Sequence, residues 1–277
     1  MPRLLNSTPI CRNLPLCEPL ECRRLFSIKL AGGVLEVTGT NASTSGGGGG
    51  GASTGNDSIR VSRSHGKIVV KLNSASKTFA VSAVDSIRIR GLGGNDSILP
   101  SRNLQTPLSI FGADGNDTIR GSVGDDVLSG GAGTDSIRGD NGNDTISGGV
   151  GNDTLLGGGD DDSLSGDAGT DLMHGNAGRD ILRGDSDADS LFGDSGNDQL
   201  FGGAGNDSLD GGDSDDVLQG GADNDTLFDH SGSDIFRGEA GNDSLDSTDG
   251  TRGDGLNGGD GTNTVTKDAE DFESFTV

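Results

Sequence analysis

From Asp117 onward an aspartate stands at every ninth residue: Asp117, Asp126, Asp135, Asp144, Asp153, Asp162, Asp171, Asp180, Asp189, Asp198, Asp207, Asp216, Asp225, Asp234 and Asp243. A carboxylate series at fixed interval can do one of two things. It can cap turns by accepting backbone N–H groups, or it can pool hard oxygens around cations such as calcium, which takes about 6–8 of them. One aspartate decides nothing. Fifteen in phase, with stacking implied by the interval, favour the cation.

The unit that positions them reads from Gly112 as GADGNDTIR, GSVGDDVLS, GGAGTDSIR and GDNGNDTIS, without a gap to GEAGNDSLD ending at Asp246. The first place is Gly in fourteen of fifteen units, Asp229 being the exception. The fourth is Gly in eleven, with Asp160, Asp187, Ser214 and Asp223 in the others. The eighth is always apolar, with Met173 and Phe236 among the Ile and Leu. Upstream, 91–99 (GLGGNDSIL) forms an isolated unit carrying Asp96. Downstream, Ser247 and Thr248 break the period, 249–257 resumes it with Asp254, and 258–266 has Asn263 where aspartate belongs.

Gly at the first and fourth places is expected to supply the positive φ of tight turns, and aspartate is among the few residues that tolerate it. The last three residues, such as Thr118-Ile119-Arg120, are expected as a short strand with its middle side chain inward. One unit then makes a turn and a strand, and two units make a coil. The coils stack into an all-β, right-handed parallel solenoid. Asp117 then pairs with Asp135, and Asp126 with Asp144, each pair sharing one ion.

This unit resembles the hemolysin-type calcium-binding repeat of RTX proteins, G-G-x-G-x-D-x-U-x. The resemblance implies a parallel β-roll, serralysin-like, with calcium between successive turns held by Asp96, the Asp117–Asp243 series and Asp254. It is looser over 229–237, where Asp229 and His230 replace two glycines, and over 258–266. Residues 14–26 (LPLCEPLECRRLF) resemble the EPLExRRLL motif near the start of planctomycete extracellular proteins, which implies export. The tail from Asp268 to Val277 resembles the end of a type I secretion signal, and reads equally as a frayed polar end.

Composition sets the energetics. The chain is 29% hydrophobic and 3% aromatic, has 52 glycines, and carries a net charge of -24. Without the period, such a composition predicts disorder. Residues 1–110 carry a net of +7 and residues 111–277 a net of -31. So acidic a half repels nucleic acid and anionic membrane surfaces, and no apolar run suffices for a membrane span. One inward side chain per unit returns far less than ordering nine residues costs, so the repeat is expected to fold only with calcium. Fifteen units sharing ligands two units apart allow at most about thirteen ions, or +26 against -31. The calcium levels that fill such sites are extracellular.

No catalytic constellation is legible. His65, His174 and His230 are single and far apart, without an HExxH pair, and His174 falls at an outward ninth place. Gly51-Ala52-Ser53-Thr54-Gly55 spells G-x-S-x-G inside a Gly-rich stretch, not between a strand and a helix. Cys11, Cys17 and Cys22 give neither a disulfide framework nor a zinc spacing. The expected organisation is an export-type, poorly ordered segment over 1–40, a Gly/Ser linker over 41–55, a β-rich cap over 56–111, the roll over 112–266 and an acidic tail over 267–277. In the cap, strands at Ser58–Val61 and Lys67–Leu72 flank a Ser64-His65-Gly66 turn, with further strands at 78–82, 86–90 and 107–111. The expected function is a non-enzymatic, calcium-dependent extracellular structural or adhesion-type protein, with an unidentified surface or matrix partner. The alternative is a non-catalytic accessory or secretion module of an enzyme or toxin system.

Overall fold

A computed structural model describes residues 27–39, 55–248, 250, 253–269 and 271–273. The three cysteines, the 14–26 motif, all but the last residue of the 41–55 linker and residues 274–277 lie outside them.

Most units contribute six extended residues and a three-residue turn. Thr145–Val150 shows the pattern: Ile146 at place eight and Gly148 at place one face inward, and their neighbours are half-buried or exposed. The strand is twice the expected length, because the residues that open the next unit continue it rather than turn. The second place then takes the positive φ, as at Gly131 (118°) and Gly149 (114°), and so does the fourth, as at Gly133 (137°) and Gly151 (129°). The first place takes none, which corrects the expectation for it. At the fourth place Asp160, Asp187, Ser214 and Asp223 adopt φ of 74° to 87° in place of glycine.

Successive units fall alternately into two sheets of thirteen strands, parallel through the repeat. Ile146 pairs with Leu128 on one side and Leu164 on the other, so one coil is two units. Between the sheets the eighth-place side chains form two files. Ile119, Ile137, Leu155, Met173, Leu191, Leu209, Leu227 and Leu245 make one. Leu128, Ile146, Leu164, Leu182, Leu200, Leu218, Phe236 and Leu256 make the other, and none is more than 1% exposed. Beyond the Ser247-Thr248 interruption, Gly255 pairs with Ile235 and Thr264 with Ser244, so two extra residues lengthen one coil without breaking the stack.

The N-terminal end is closed by antiparallel strands. Ser58–Ser64, Lys67–Leu72 and Ala75–Ala80 form a meander that extends one sheet. Ser27–Ala31 and Val34–Thr38 form a hairpin that extends the other. This hairpin lies within the segment expected to be poorly ordered, and its alternating Ile28, Leu35 and Val37 explain the difference, since they are buried on the end of the core. Lys77 Nζ donates to the Ile28 carbonyl at 2.7 Å, tying the two outermost strands together. Parallel stacking begins earlier than the expected boundary at 111, because Ser86–Gly93 already pairs with Leu108–Asp114. At the other end, Phe272–Glu273 pairs with Gly255–Leu256, so part of the expected acidic tail continues the sheet.

The inward file generates a simple expectation. Leu200→Ala lowers the free energy of unfolding in urea, with calcium present, by about 3 kcal/mol. Gln199→Ala, its exposed neighbour, changes it by less than about 0.5 kcal/mol.

Candidate metal centre

The sixth-place aspartates form two rows, one along each edge where the sheets meet through turns. In one row the backbone N–H of Asp117 donates to Asp135 Oδ1 at 2.6 Å, Asp135 to Asp153 at 2.7 Å, and Asp153 to Asp171 at 2.7 Å. The row continues through Asp189, Asp207, Asp225 and Asp243. In the other, Asp126 donates to Asp144 at 2.8 Å, and the chain runs through Asp162, Asp180, Asp198, Asp216 and Asp234 to Asp254. The aspartates expected to stand together, two units apart, do stand together. All are at most 3% exposed.

One oxygen of each carboxylate is thus used by a turn N–H. The other, Oδ2, is buried and receives no hydrogen bond at Asp117, Asp135, Asp144, Asp153, Asp162, Asp171, Asp180, Asp189, Asp198, Asp207, Asp216, Asp225 and Asp243, and at Asp96 upstream. Leaving so many buried anionic oxygens without a donor is costly. Asp126 differs, since its Oδ2 accepts from the Ser122 backbone N–H at 2.9 Å and hydroxyl at 3.3 Å.

The first-place glycine is explained by these oxygens. A Cβ on Gly202 would lie 2.3 Å from Asp207 Oδ2 and 2.6 Å from the Gly220 carbonyl oxygen; on Gly139, 2.0 Å from Asp144 Oδ2 and 2.6 Å from the Gly157 carbonyl. Glycine is needed here for space, not for φ. Its missing side chain leaves a cradle where a carboxylate oxygen and a carbonyl oxygen converge.

Burial raises the affinity of these carboxylates for a proton. Removal from water is the largest cause, pushing Asp144 up to about 8 and Asp117, Asp153, Asp162, Asp189, Asp198 and Asp225 to about 7. The backbone N–H bond to Oδ1 opposes the rise, and neighbouring aspartates in the row add to it.

The rows reach further than the period. Asp57 N–H donates to Asp96 Oδ1 and Asp96 N–H to Asp117 Oδ1, both at 2.7 Å. The unit at 91–99 is therefore not isolated, only separated from the block by a longer coil. Asp57 shares the cradle of Gly39, where a Cβ would meet Asp57 Oδ2 at 2.3 Å and the Gly91 carbonyl at 2.4 Å. The linker is thus inserted between the first and fourth places of one degenerate unit, and Gly55-Asn56-Asp57-Ser58-Ile59-Arg60, which repeats places four to nine, was the available signal. At the far end Phe272 N–H donates to the Asp254 carbonyl, as the residue after each row aspartate does, which puts buried Asp271 at a sixth place. No glycine marks that unit. Asn263 Oδ1 accepts the Asp243 N–H at 2.8 Å, keeping the turn bond without the charge.

The donor set consists of hard oxygens only, from carboxylate Oδ2 atoms without hydrogen-bond donors and from peptide carbonyls, and this fits calcium or a similar cation. His174 and His230 lie apart from it on an outer face. His174 stacks on Phe192 and meets Asp194 at 3.0 Å, and His230 meets Asp210 at 3.0 Å.

A family model described as the RTX calcium-binding nonapeptide repeat (4 copies) matches residues 111–146, 138–173, 147–182, 174–209, 210–245 and 231–265. No curated protein matches the chain.

A proton can neutralise the row in place of a cation. An aspartate raised from 3.8 toward 7 binds more protons folded than unfolded, so its contribution is full below about pH 4 and is lost as pH rises through 7. Metal-free protein is therefore expected to gain far-UV sheet signal on acidification from pH 8 to 4, and to lose it on return. A metal-free spectrum that does not change over that range would contradict this.

Proposed function

Since the chain belongs to the RTX calcium-binding nonapeptide repeat family, we propose that it is a non-catalytic β-roll that folds around calcium and serves outside the cell as a structural or adhesion-type protein. The observation that carries this reading is the pair of rows of buried carboxylates, in which thirteen Oδ2 atoms of the Asp117–Asp243 series have no hydrogen-bond donor. In the metal-free chain they repel one another in a medium that cannot screen them. A cation in each cradle would turn that repulsion into attraction and supply folding free energy.

The candidate ligands are Asp96, the Asp117–Asp243 series and Asp254, through Oδ2 at all but Asp126, whose Oδ2 is held by Ser122, joined by the first-place carbonyls two units on. Asp57 and Asp271 extend the series. Calcium suits a mixture of carboxylates and backbone carbonyls set by turn geometry, whereas magnesium demands a tighter octahedron and keeps its water. Repeated sites that share ligands between successive coils make binding cooperative, and ordering then responds to the step between low calcium inside a cell and high calcium outside. The exterior of the roll offers mixed polar side chains, which supports a scaffold or contact surface over a reaction centre.

The test is a calcium titration of the full chain followed by far-UV circular dichroism, with magnesium as control. Sheet signal is expected to rise cooperatively with calcium and not with magnesium. Asp171→Asn keeps an oxygen for the Asp153 N–H, as Asn263 does for Asp243, and removes one charge. It is expected to shift the calcium midpoint upward several-fold while reaching the same final spectrum. Equal sheet content at neutral pH in chelator and in calcium would contradict the reading.

A further inference from the structure

Asp229 is the single departure from glycine at the first place of the fifteen units, and its side chain goes into a row. Asp229 Oδ1 accepts the backbone N–H groups of His230 and Ser231, the latter at 3.1 Å. That anchorage turns Oδ2 back over Gly211. A Cβ on Gly211 would meet Asp229 Oδ2 at 2.0 Å and Asp216 Oδ2 at 2.6 Å. At Gly193, one coil earlier, the corresponding neighbours are the Gly211 carbonyl oxygen at 2.4 Å and Asp198 Oδ2 at 2.6 Å. A carboxylate oxygen has therefore taken the position that a peptide carbonyl holds in the neighbouring cradle.

Oxygens of Asp216, Asp229 and Asp234 lie within 4.8 Å of one another, and all three residues are buried. Asp216 is 1% exposed, its N–H bonds Asp234 Oδ1 at 2.8 Å, and its own Oδ2 points into the cluster without a hydrogen-bond donor. Nothing in the repeat requires this arrangement. Fourteen units do without a side chain at the first place, and aspartate there adds a buried negative charge to a row already crowded with them. Such a residue costs stability unless a cation meets it.

We propose that Asp216, Asp229 and Asp234 form a three-carboxylate cation site, distinct from the other cradles of the roll and filled by calcium before them. This rests on the calcium reading above and adds an order of filling. Ligand charge count and rigidity set the affinity of oxygen sites for calcium. This site replaces a neutral ligand with a charged one, and Asp229 Oδ1 is anchored by the N–H groups of the two residues that follow it. With three formal charges it also suits a trivalent ion such as lanthanum better than its neighbours do.

The experiment is isothermal titration of the full chain with calcium, and separately with lanthanum, in parallel with Asp229→Gly and Asp229→Asn. Asp229→Gly restores the residue found at the other first places, and Asp229→Asn keeps the bulk and the turn bonds while removing the charge. The wild-type chain is expected to take up one ion per chain in a first phase, roughly tenfold or more tighter than the rest, and more sharply resolved with lanthanum. Both variants are expected to lose that phase, retain the later cooperative uptake and reach the wild-type far-UV spectrum at saturating calcium. Isotherms of both variants that superimpose on the wild type, with calcium still bound, would overturn this site and leave the calcium reading standing. A wild-type chain that takes up no calcium would overturn both.

Discussion

In thirteen carboxylates of the Asp117–Asp243 series one oxygen is bonded and the other is not. Oδ1 holds the turn of the preceding coil through its N–H, which makes the row a structural rail, while Oδ2 faces a buried cradle with no donor to meet it. The remaining features follow from accommodating that second oxygen. The first-place glycine gives it room, the second- and fourth-place positive φ bends the chain around it, and the eighth-place aliphatic file keeps water away on the other side. A fold with so thin a core cannot bear a double row of buried charges unaided. On the proposed reading, a neutralising cation is part of what makes this chain fold.

Charge is arranged accordingly along the molecule. The closing strands at the N-terminal end carry the basic residues, among them Lys67, Lys71 and Lys77, and the roll carries the excess of acid. Where the two regions meet, buried Asp140 is ringed by Arg102 and Arg120, each at 3.5 Å, and by Arg138. Asp140 is thus paired by side chains, whereas most row aspartates keep an Oδ2 without a hydrogen-bond donor. The capping strands also solve an edge problem, because a parallel solenoid would otherwise expose two unpaired strands at its start. The hairpin and the meander finish the two sheets separately, and the Lys77 to Ile28 bond links them.

Much of this was legible from a nine-residue period alone: the two-unit coil, the inward eighth place, and the pairing of Asp117 with Asp135. Period reading fails where spacing is elastic. Asp57 is separated from Gly39, its partner in one cradle, by the whole linker, and Asp271 sits in a unit without glycine, so neither carries the full signature although both occupy row positions. It also fails where one residue type has two uses. Glycine at the first place looked like a φ requirement, and only three dimensions show it yielding space to a carboxylate. Asp229 was legible as a departure but not as a gain, because the sequence does not say that its side chain returns over Gly211.

Whether each cradle holds a cation can be seen by anomalous diffraction from crystals of the calcium-grown protein, recorded where calcium scatters anomalously. Two rows of peaks are expected, one per occupied cradle, each between a row aspartate Oδ2 and a first-place carbonyl. A well-ordered roll whose Oδ2 atoms are met only by water or protein donors, with no peaks along either row, would contradict that expectation.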